Sequence, residues 1–380
     1  MLLENCSYPR DVRVSREARA LVAAGHEVTV IAPRAAGESR RETIDGVAVR
    51  RFRVPIQGVT ARGTALEYAV AIPALHLAAL RALARGLTVL HLHNPPDLLF
   101  GAGLAARLLR RAVVYDQHDL FPELVAHKLG PGRAVRLAAA AERASFAVCT
   151  HVLAANESQA EVARIRGRVP AERVTVVRNG PPRATIVAGP AGRSGPLRDP
   201  ELIYVGLLAS QDGADALAGV LARVRRRRQT PDARLVVVGD GEERATLEAA
   251  LRAEGVAHCA TLTGWVSADE VRRRLAAADI CVDPSPATAL NERSTMIKIG
   301  EYLAAGKPVV AYDLIETRRS AGGAARLVAA GDAEAMADEI ARLAGEPAAR
   351  AKLAGAGLRR AHQVSWEHSV AALLAAYEAL

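Results

Sequence analysis

Residues 291–313 read NERSTMIKIGEYLAAGKPVVAYD. A hydroxyl pair, Ser294 and Thr295, precedes Lys298, and Glu301 follows three residues later. With Ser294 or Thr295 as the N-cap of a helix, Ser294, Lys298, Glu301 and Ala305 share one stripe, at steps of four, three and four. The first-turn amides and the positive end of the dipole form an anion site, and Lys298 adds a charge to the same anion. Glu301 lies about 10 Å along the axis from Ser294 at ~1.5 Å per residue. One ligand can then place phosphates at the helix start and sugar hydroxyls at the carboxylate, which suits the two hydroxyls of a ribose. The same stripe also fits an ordinary ion pair between Lys298 and Glu301.

Other polar residues collect just after apolar, strand-like runs. Asp116-Gln117-His118-Asp119 follows the run at 112–115, His93-Asn94-Pro95-Pro96 the run at 87–92, and Arg178-Asn179-Gly180 the run at 174–177. In the second half Gly206, Gly239-Asp240-Gly241, Gly264-Trp265 and Asp283-Pro284-Ser285 stand in the same place. Ligands of open parallel sheets bind at the carboxyl ends of strands, so these positions point to one cleft between two facing sheets. Each taken singly is also what a turn is made of. Several chemistries lack their signature. GDGEER has no third glycine at dinucleotide-binding spacing, and there is no P-loop. Asp-x-Asp and Gly-x-Ser-x-Gly are absent too. Arg225 to Arg228 could touch phosphate, but at the end of a surface helix four cations also complement the dipole.

The elements that must position these residues alternate along the chain. VSREARALVAAG reads as an amphipathic helix stopped at Gly25; HEVTVIAP and LTVLHLHN read as buried strands, AGLAARLLRR as a helix, and AVVYDQHD as a strand ending in polar residues. This is the alternation of parallel sheets covered on both faces. At residues 181–200 the texture turns rich in Gly, Pro and Arg, as in a linker, and a second alternating series begins at ELIYVG. The expected organisation is a first domain at 1–180 completed by a C-terminal helix at 364–380, and a second domain at 201–363. The length of 380 residues and the 50% apolar content fill two cores. The net charge of +9 suits an anionic partner or a solvated arginine-rich surface. Four cysteines without Cys-x-x-Cys or Cys/His spacing indicate neither zinc nor disulfides, which suits reduced cytosolic thiols. No signal-peptide pattern is read at the start, and the apolar stretch Ala69 to Leu83 is read as too short and interrupted to span a bilayer.

The order of motifs resembles that of the retaining GT-B glycosyltransferases of family 4. The resemblance runs nearly end to end: SYPRDVRVSREARALVAAGHEVTVIAP, LHLHNPPD, VVYDQHDLFPEL and VVRNGP, then YVGLLASQDGADAL, LVVVGDGEER and LTGWVSADEV. The most specific stretch, STMIKIGEYLAAGKPVVAYDLIETR, resembles the branch reading Lys-x-x-Glu-Tyr-x-Ala-x-Gly-Lys-Pro-Val, and VSWEHSVAALLAAYEAL resembles the closing helix. The resemblance implies an α/β GT-B fold, two doubly wound Rossmann-like domains facing across a cleft, with the last helix crossing back to the first. It implies metal-independent transfer with retention from a nucleotide-diphosphate sugar to a polysaccharide-precursor or secondary-metabolite acceptor, with no cofactor. Carried over by position, Glu301 holds the ribose; Ser294, Thr295, Met296 and Lys298 receive the diphosphate; Trp265 and Val266 border the base; and Gly206 opens the donor loop. His118, Glu292 and Arg293 are the catalytic candidates, and Arg10, Asp11, His93 and Asn94 the acceptor-side ones. Two positions depart from the pattern. Arg293 stands where the first of two glutamates is expected, with Glu292 adjacent. Leu207 and Asp212 stand where the family carries the Arg and Lys that meet the diphosphate.

Two other readings use the same residues: a sugar-nucleotide epimerase or hydrolase of the same shape, and a non-catalytic nucleotide- or carbohydrate-binding partner. Expected partners are the donor and a carbohydrate, lipid-linked or small-molecule acceptor, without nucleic acid. The expected location is cytoplasmic, with peripheral contact at the inner membrane face as an option through the basic, apolar stretch Arg133 to Arg143. That stretch also reads as a buried helix with one charged edge.

Overall fold

The computed structural model describes residues 1–54, 61–189 and 192–380, and the chain divides into two compact units, 1–179 with 368–380, and 180–367. Unit 1 runs α1 (Val12–Ala23), β1 (Thr29–Pro33), β2 (Arg41–Ile44), β3 (Val47–Phe52), α2 (Ala61–Leu83), β4 (Val89–His93), α3 (Phe100–Leu108), β5 (Ala112–Gln117), α4 (Phe121–Leu129), α5 (Arg133–Val148), β6 (His151–Ala154), α6 (Glu157–Ile165) and β7 (Val174–Val176). β1 and β3 pair in parallel, with β2 antiparallel at the edge. β4, β5, β6 and β7 form a second parallel set. Leu2 bridges Ile31 on one side and Leu92 on the other, so the first residues of the chain join the two sets. Both bridges are parallel, and the order in which strands are added reverses between Leu2 and β4.

Unit 2 runs β8 (Glu201–Val205), α7 (Ala216–Arg226), β9 (Arg234–Val238), α8 (Arg244–Ala253), β10 (Ala260–Leu262), α9 (Ala268–Ala277), β11 (Ile280–Asp283), α10 (Ile297–Ala304), β12 (Val309–Tyr312), α11 (Ile315–Ala321), β13 (Arg326–Val328), α12 (Ala333–Gly345) and α13 (Pro347–Gln363). Its six strands lie in the order β10-β9-β8-β11-β12-β13, all parallel. Counted within the unit this is 3-2-1-4-5-6, the doubly wound order of nucleotide-binding sheets. Both faces are covered, which is why the strands read as continuous apolar runs. Leu202, Tyr204, Leu235, Val237, Ile280 and Val282 face one core with Leu217, Leu221, Leu247, Met336 and Ile340. Ile203, Val205, Val236, Val238 and Cys281 face the other with Ile299, Tyr302, Leu303 and Ala361. Each buried Leu, Ile or Val contributes about 1.5–3 kcal/mol.

The last helix, α14 (Trp366–Glu378), returns the chain to unit 1, where the Tyr377 hydroxyl lies 2.7 Å from His91 Nδ1. The stretch read as a linker lies along unit 2: the Val187 amide donates to Ala304 O, the Leu197 amide donates to Ala344 O, and Arg193 pairs with Asp279 at 2.6 Å. Its residues 190 and 191 lie outside the described residues.

Two expectations change. The helix expected to start at Ser294 or Thr295 starts at Ile297, with Met296 as N-cap. Residues 291–293 form a separate 3-10 turn, and the Ser294 hydroxyl donates back to Leu290 O at 2.8 Å. That bond closes the turn, so Ser294 leaves the helical stripe. The second concerns α2, whose window Leu66–Leu83 has a mean hydropathy of 1.4 and is long and apolar enough to cross a membrane by length and composition. Pro73 and Arg81, read as interruptions, fall within this one continuous helix.

Candidate functional site

In unit 2 the winding reverses between β8 and β11, so their carboxyl ends frame the expected ligand position. The wall there is glycine. Gly206 follows β8, and its amide donates to Val238 O at 3.0 Å; the Gly239 amide donates to Gly264 O at 3.1 Å. Gly239 has φ +133°, and a Cβ there would sit 1.9 Å from Gly206 O. Only glycine permits this approach of backbone to backbone.

Lys298, in the first turn of α10, is buried at 8% exposure and extends into this opening. Its ammonium lies 2.9 Å from Asp212 Oδ1, 3.0 Å from the Tyr204 hydroxyl and 3.5 Å from Asp283 Oδ1. Burial pulls the Lys298 pKa down, and Asp283, Tyr204 and Asp212 more than offset this, so the ammonium is held above its usual range. Burial also raises Tyr204, which stays a neutral phenol. Asp212 is positioned by its loop: Asn291 Nδ2 donates to Gln211 O at 2.7 Å and to Pro286 O at 2.9 Å, and Gly213 turns in the left-handed region against Pro284 O. The Asp212 that stands in place of a diphosphate-facing lysine neither points away nor is isolated; it neutralises Lys298. One ammonium thus meets two carboxylates.

The other donor-side candidates spread around this centre. Glu301 is exposed on α10, one turn beyond Lys298. Thr295 is half-buried, and Met296 is buried with its sulfur accepting from Ser285 Oγ at 3.7 Å. Glu292 Oε2 accepts the Ile315 amide at 2.7 Å and so caps α11, while Arg293 beside it is exposed. Trp265 is 71% exposed, and Val266 packs on the core. Leu207 is exposed. Arg178, just after β7, pairs with Glu157 in unit 1. Of the arginine run, Arg226 pairs with Glu254 and Arg227 with Glu334 and Asp338, while Arg225 donates to Ala233 O. These pairs give the run a structural use.

Unit 1 carries its own polar centre at the ends of β4 and β5. His118 Nε2 lies 2.6 Å from Asp116 Oδ2, and His93 Nδ1 lies 3.1 Å from the same oxygen. Arg13 from α1 meets Asp116 at 2.6 Å and Glu17 at 3.1 Å. Burial pushes the Asp116 carboxyl up, but the Arg13 guanidinium and His118 hold it well below the usual carboxylate range. Burial and the Asp116 charge raise Glu17 well above it. Burial lowers His91 to about 4 and takes His93 well below its ordinary value, so both are neutral bases. Asn94 Oδ1 accepts the His118 amide at 2.6 Å and the Asp119 amide at 3.2 Å, which fixes the loop that carries His118. Asp11 N-caps α1 through the Val14 amide at 3.0 Å, and Arg10 is exposed beside Glu38. Arg13, Glu17, His91 and Tyr377 escaped the sequence reading. Among the described residues, Glu17, His91, His93 and Asp116 form a group with metal-ligand chemistry; the Arg13 guanidinium supplies positive charge inside it. Reading Cys/His spacing along the chain could not find it, because its members come from α1, β4 and β5.

Residues 11–180 match the glycosyl transferase 4-like domain and residues 199–346 match the glycosyl transferases group 1 domain. The alpha-D-kanosaminyltransferase of Streptomyces kanamyceticus is 28% identical over 157 residues, 41% of this chain and 39% of the relative. An uncharacterized glycosyltransferase of Methanocaldococcus jannaschii is 32% identical over 109 residues, 29% of this chain and 26% of the relative. The aligned parts thus span well under half of both relatives. Among solved structures, sucrose-phosphate synthase from Thermosynechococcus elongatus superposes with a TM-score of 0.78 at 18% identity, covering 98% of this chain and 93% of that one. Anabaena HepE in complex with UDP superposes with a TM-score of 0.73 at 16% identity, covering 100% and 99%. The fold is GT-B, with two Rossmann-like domains. Both domain matches are to glycosyl transferase families, one on each side of the division between the units, and they agree with the GT-B fold.

Proposed function

We propose that the protein transfers a sugar, with retention and without a metal, from a nucleotide-diphosphate sugar to a polysaccharide-precursor or secondary-metabolite acceptor. The observation that carries this reading is the glycine-walled end of the 3-2-1-4-5-6 sheet with the Lys298 ammonium at its switch point. The solved complexes of HepE with UDP and with UDP-glucose support the donor class. In this reading the α10 amides and Lys298 meet the diphosphate, and Glu301 accepts from the ribose hydroxyls. Charge grows on the diphosphate as it leaves, and donors already in place at that point stabilise it most. The incoming diphosphate competes with Asp212 for Lys298. His118, held by Asp116, is assigned to a sugar hydroxyl. The four cysteines are free, which fits a reducing cytoplasm.

UDP, GDP or dTDP should raise the melting temperature, and Glu301→Ala should abolish that rise. No shift with any of the three would sink the proposal. One other reading is a sugar-nucleotide epimerase or hydrolase, prompted by Leu207 and Asp212 standing where cations that meet the diphosphate are expected. Turnover of the donor alone, with no acceptor present, would identify it.

A further inference from the structure

Helix α2 is apolar on two opposite sides. Inward, Ala71, Leu75, Ala79 and Leu83 are buried at four-residue steps. Outward, Leu66, Ala69, Pro73, Leu77 and Leu80 are exposed, at steps of three, four, four and three. No polar residue interrupts that outer stripe, and only 22% of the window Leu66–Leu83 is buried. A surface helix of a water-soluble domain normally turns a polar face outward.

Helix α3 continues the surface. A Cβ on Gly101 would fall 2.7 Å from the His76 ring, so the two helices touch there. One turn beyond this contact stand Leu80 on α2 and Leu104 on α3, with Leu108 a turn further; Leu104 is 51% and Leu108 76% exposed. The C-terminal ends of both helices carry Arg81, Arg85, Arg107, Arg110 and Arg111. From Tyr68 to Tyr115 the single acidic residue is Asp97, which is 1% exposed. Glu67, near the start of α2, is half-buried, so the face is apolar with its cations gathered at the C-terminal ends of both helices.

We propose that this α2–α3 face docks on an anionic lipid bilayer, with the leucines in the acyl boundary and the arginines on lipid phosphates. Charge complementarity selects this occupant. A second copy meeting the same face would bring further arginines and no exposed carboxylate on α2 or α3 to pair them. Spanning the bilayer would take Leu75, Ala79 and Leu83 out of the unit 1 core, so α2 lies on the membrane. The surface shares no residue with the donor or His118 centres, and the inference stands without the proposed reaction.

The test is co-sedimentation of the full chain with vesicles of equal parts phosphatidylglycerol and phosphatidylcholine, against pure phosphatidylcholine. The expected result is sedimentation with the anionic vesicles alone, unaffected by millimolar inorganic phosphate. Leu80→Gln with Leu108→Gln should weaken binding by on the order of tenfold. Arg81→Gln and Arg107→Gln should each weaken it about fivefold. All four side chains are exposed, so the melting temperature should stay unchanged and a folding defect is separable. Equal sedimentation with neutral vesicles, or wild-type binding by the leucine variant, overturns the proposal. So does displacement by free phosphate, a dimer that Leu108→Gln breaks, or retention in membranes after alkaline carbonate washing.

Discussion

Asp212→Asn separates a diphosphate site held in check by its own carboxylate from a merely structural ion pair. Lys298 Nζ lies 2.9 Å from Asp212 Oδ1. A phosphate oxygen that meets the same ammonium at ~2.8 Å from another direction lies about 5 Å from that carboxylate. Two unit charges at about 5 Å repel by about 3 kcal/mol at an effective dielectric of ~20. Asp212 is 15% exposed, and screening trims the repulsion to about 1.5–3 kcal/mol. The variant should therefore bind nucleotide diphosphate about tenfold to a hundredfold more tightly. Asparagine keeps the shape and an accepting oxygen, and Lys298 retains Tyr204 and Asp283, so the geometry should survive. Isothermal titration calorimetry with UDP, GDP and dTDP measures the change, with Lys298→Gln as the opposing control that should weaken binding. Unchanged or weaker binding by Asp212→Asn, at an unchanged melting temperature, would refute the assignment of Lys298 to the diphosphate.

Three further outcomes are expected. Gly239→Ala places a Cβ 1.9 Å from Gly206 O at φ +133°, so clash and backbone strain should cost about 3–5 kcal/mol and abolish nucleotide binding, read by denaturant melts of the variant. Asp116→Asn leaves Arg13 buried with Glu17 alone and should lower stability by about 3–5 kcal/mol; a melting temperature within a degree of wild type would contradict the buried network. Burial raises Asp97 to about 7, against the acceptance of bonds from Tyr115 and Asn94. Its folded form therefore binds more protons than the unfolded chain between the ordinary carboxylate range and pH ~7, and stability is lost as pH rises through that window. Asp97→Asn should remove this loss and gain about 2–3 kcal/mol on wild type between pH 5 and pH 8. A pH-independent difference between the two unfolding curves would contradict it.

Much of the architecture is legible in the residues because it is local. The apolar run ARLVVVGDG needs burial on both faces, and ALAGVLARVRRRR has helical periodicity with cations at its end; both hold for any neighbouring element. The Lys298 and Glu301 spacing and the glycines at 206, 239 and 264 are likewise read from the chain alone. The helix start at Ile297 was not readable, because a hydroxyl at Ser294 can cap forward or bond back, and here Leu290 O receives it.

What the tertiary structure decided is the pairing of charges. The sequence shows Asp212 as an anion where a cation is expected; only the neighbouring places of β8 and β11 in the sheet bring it to a lysine 86 residues away. Arg13, Glu17, His91, His93, Asp116 and Tyr377 meet because the chain's first residues and its last helix close the sheet of unit 1. The outer stripe of α2 was visible as apolar residues, but its exposure depends on which side the sheet occupies. Periodicity is set by hydrogen bonds a few residues long. Electrostatic partnership is set by strand order, which sums small packing preferences over the whole chain, and so the site's net charge appears only once the sheets are assembled.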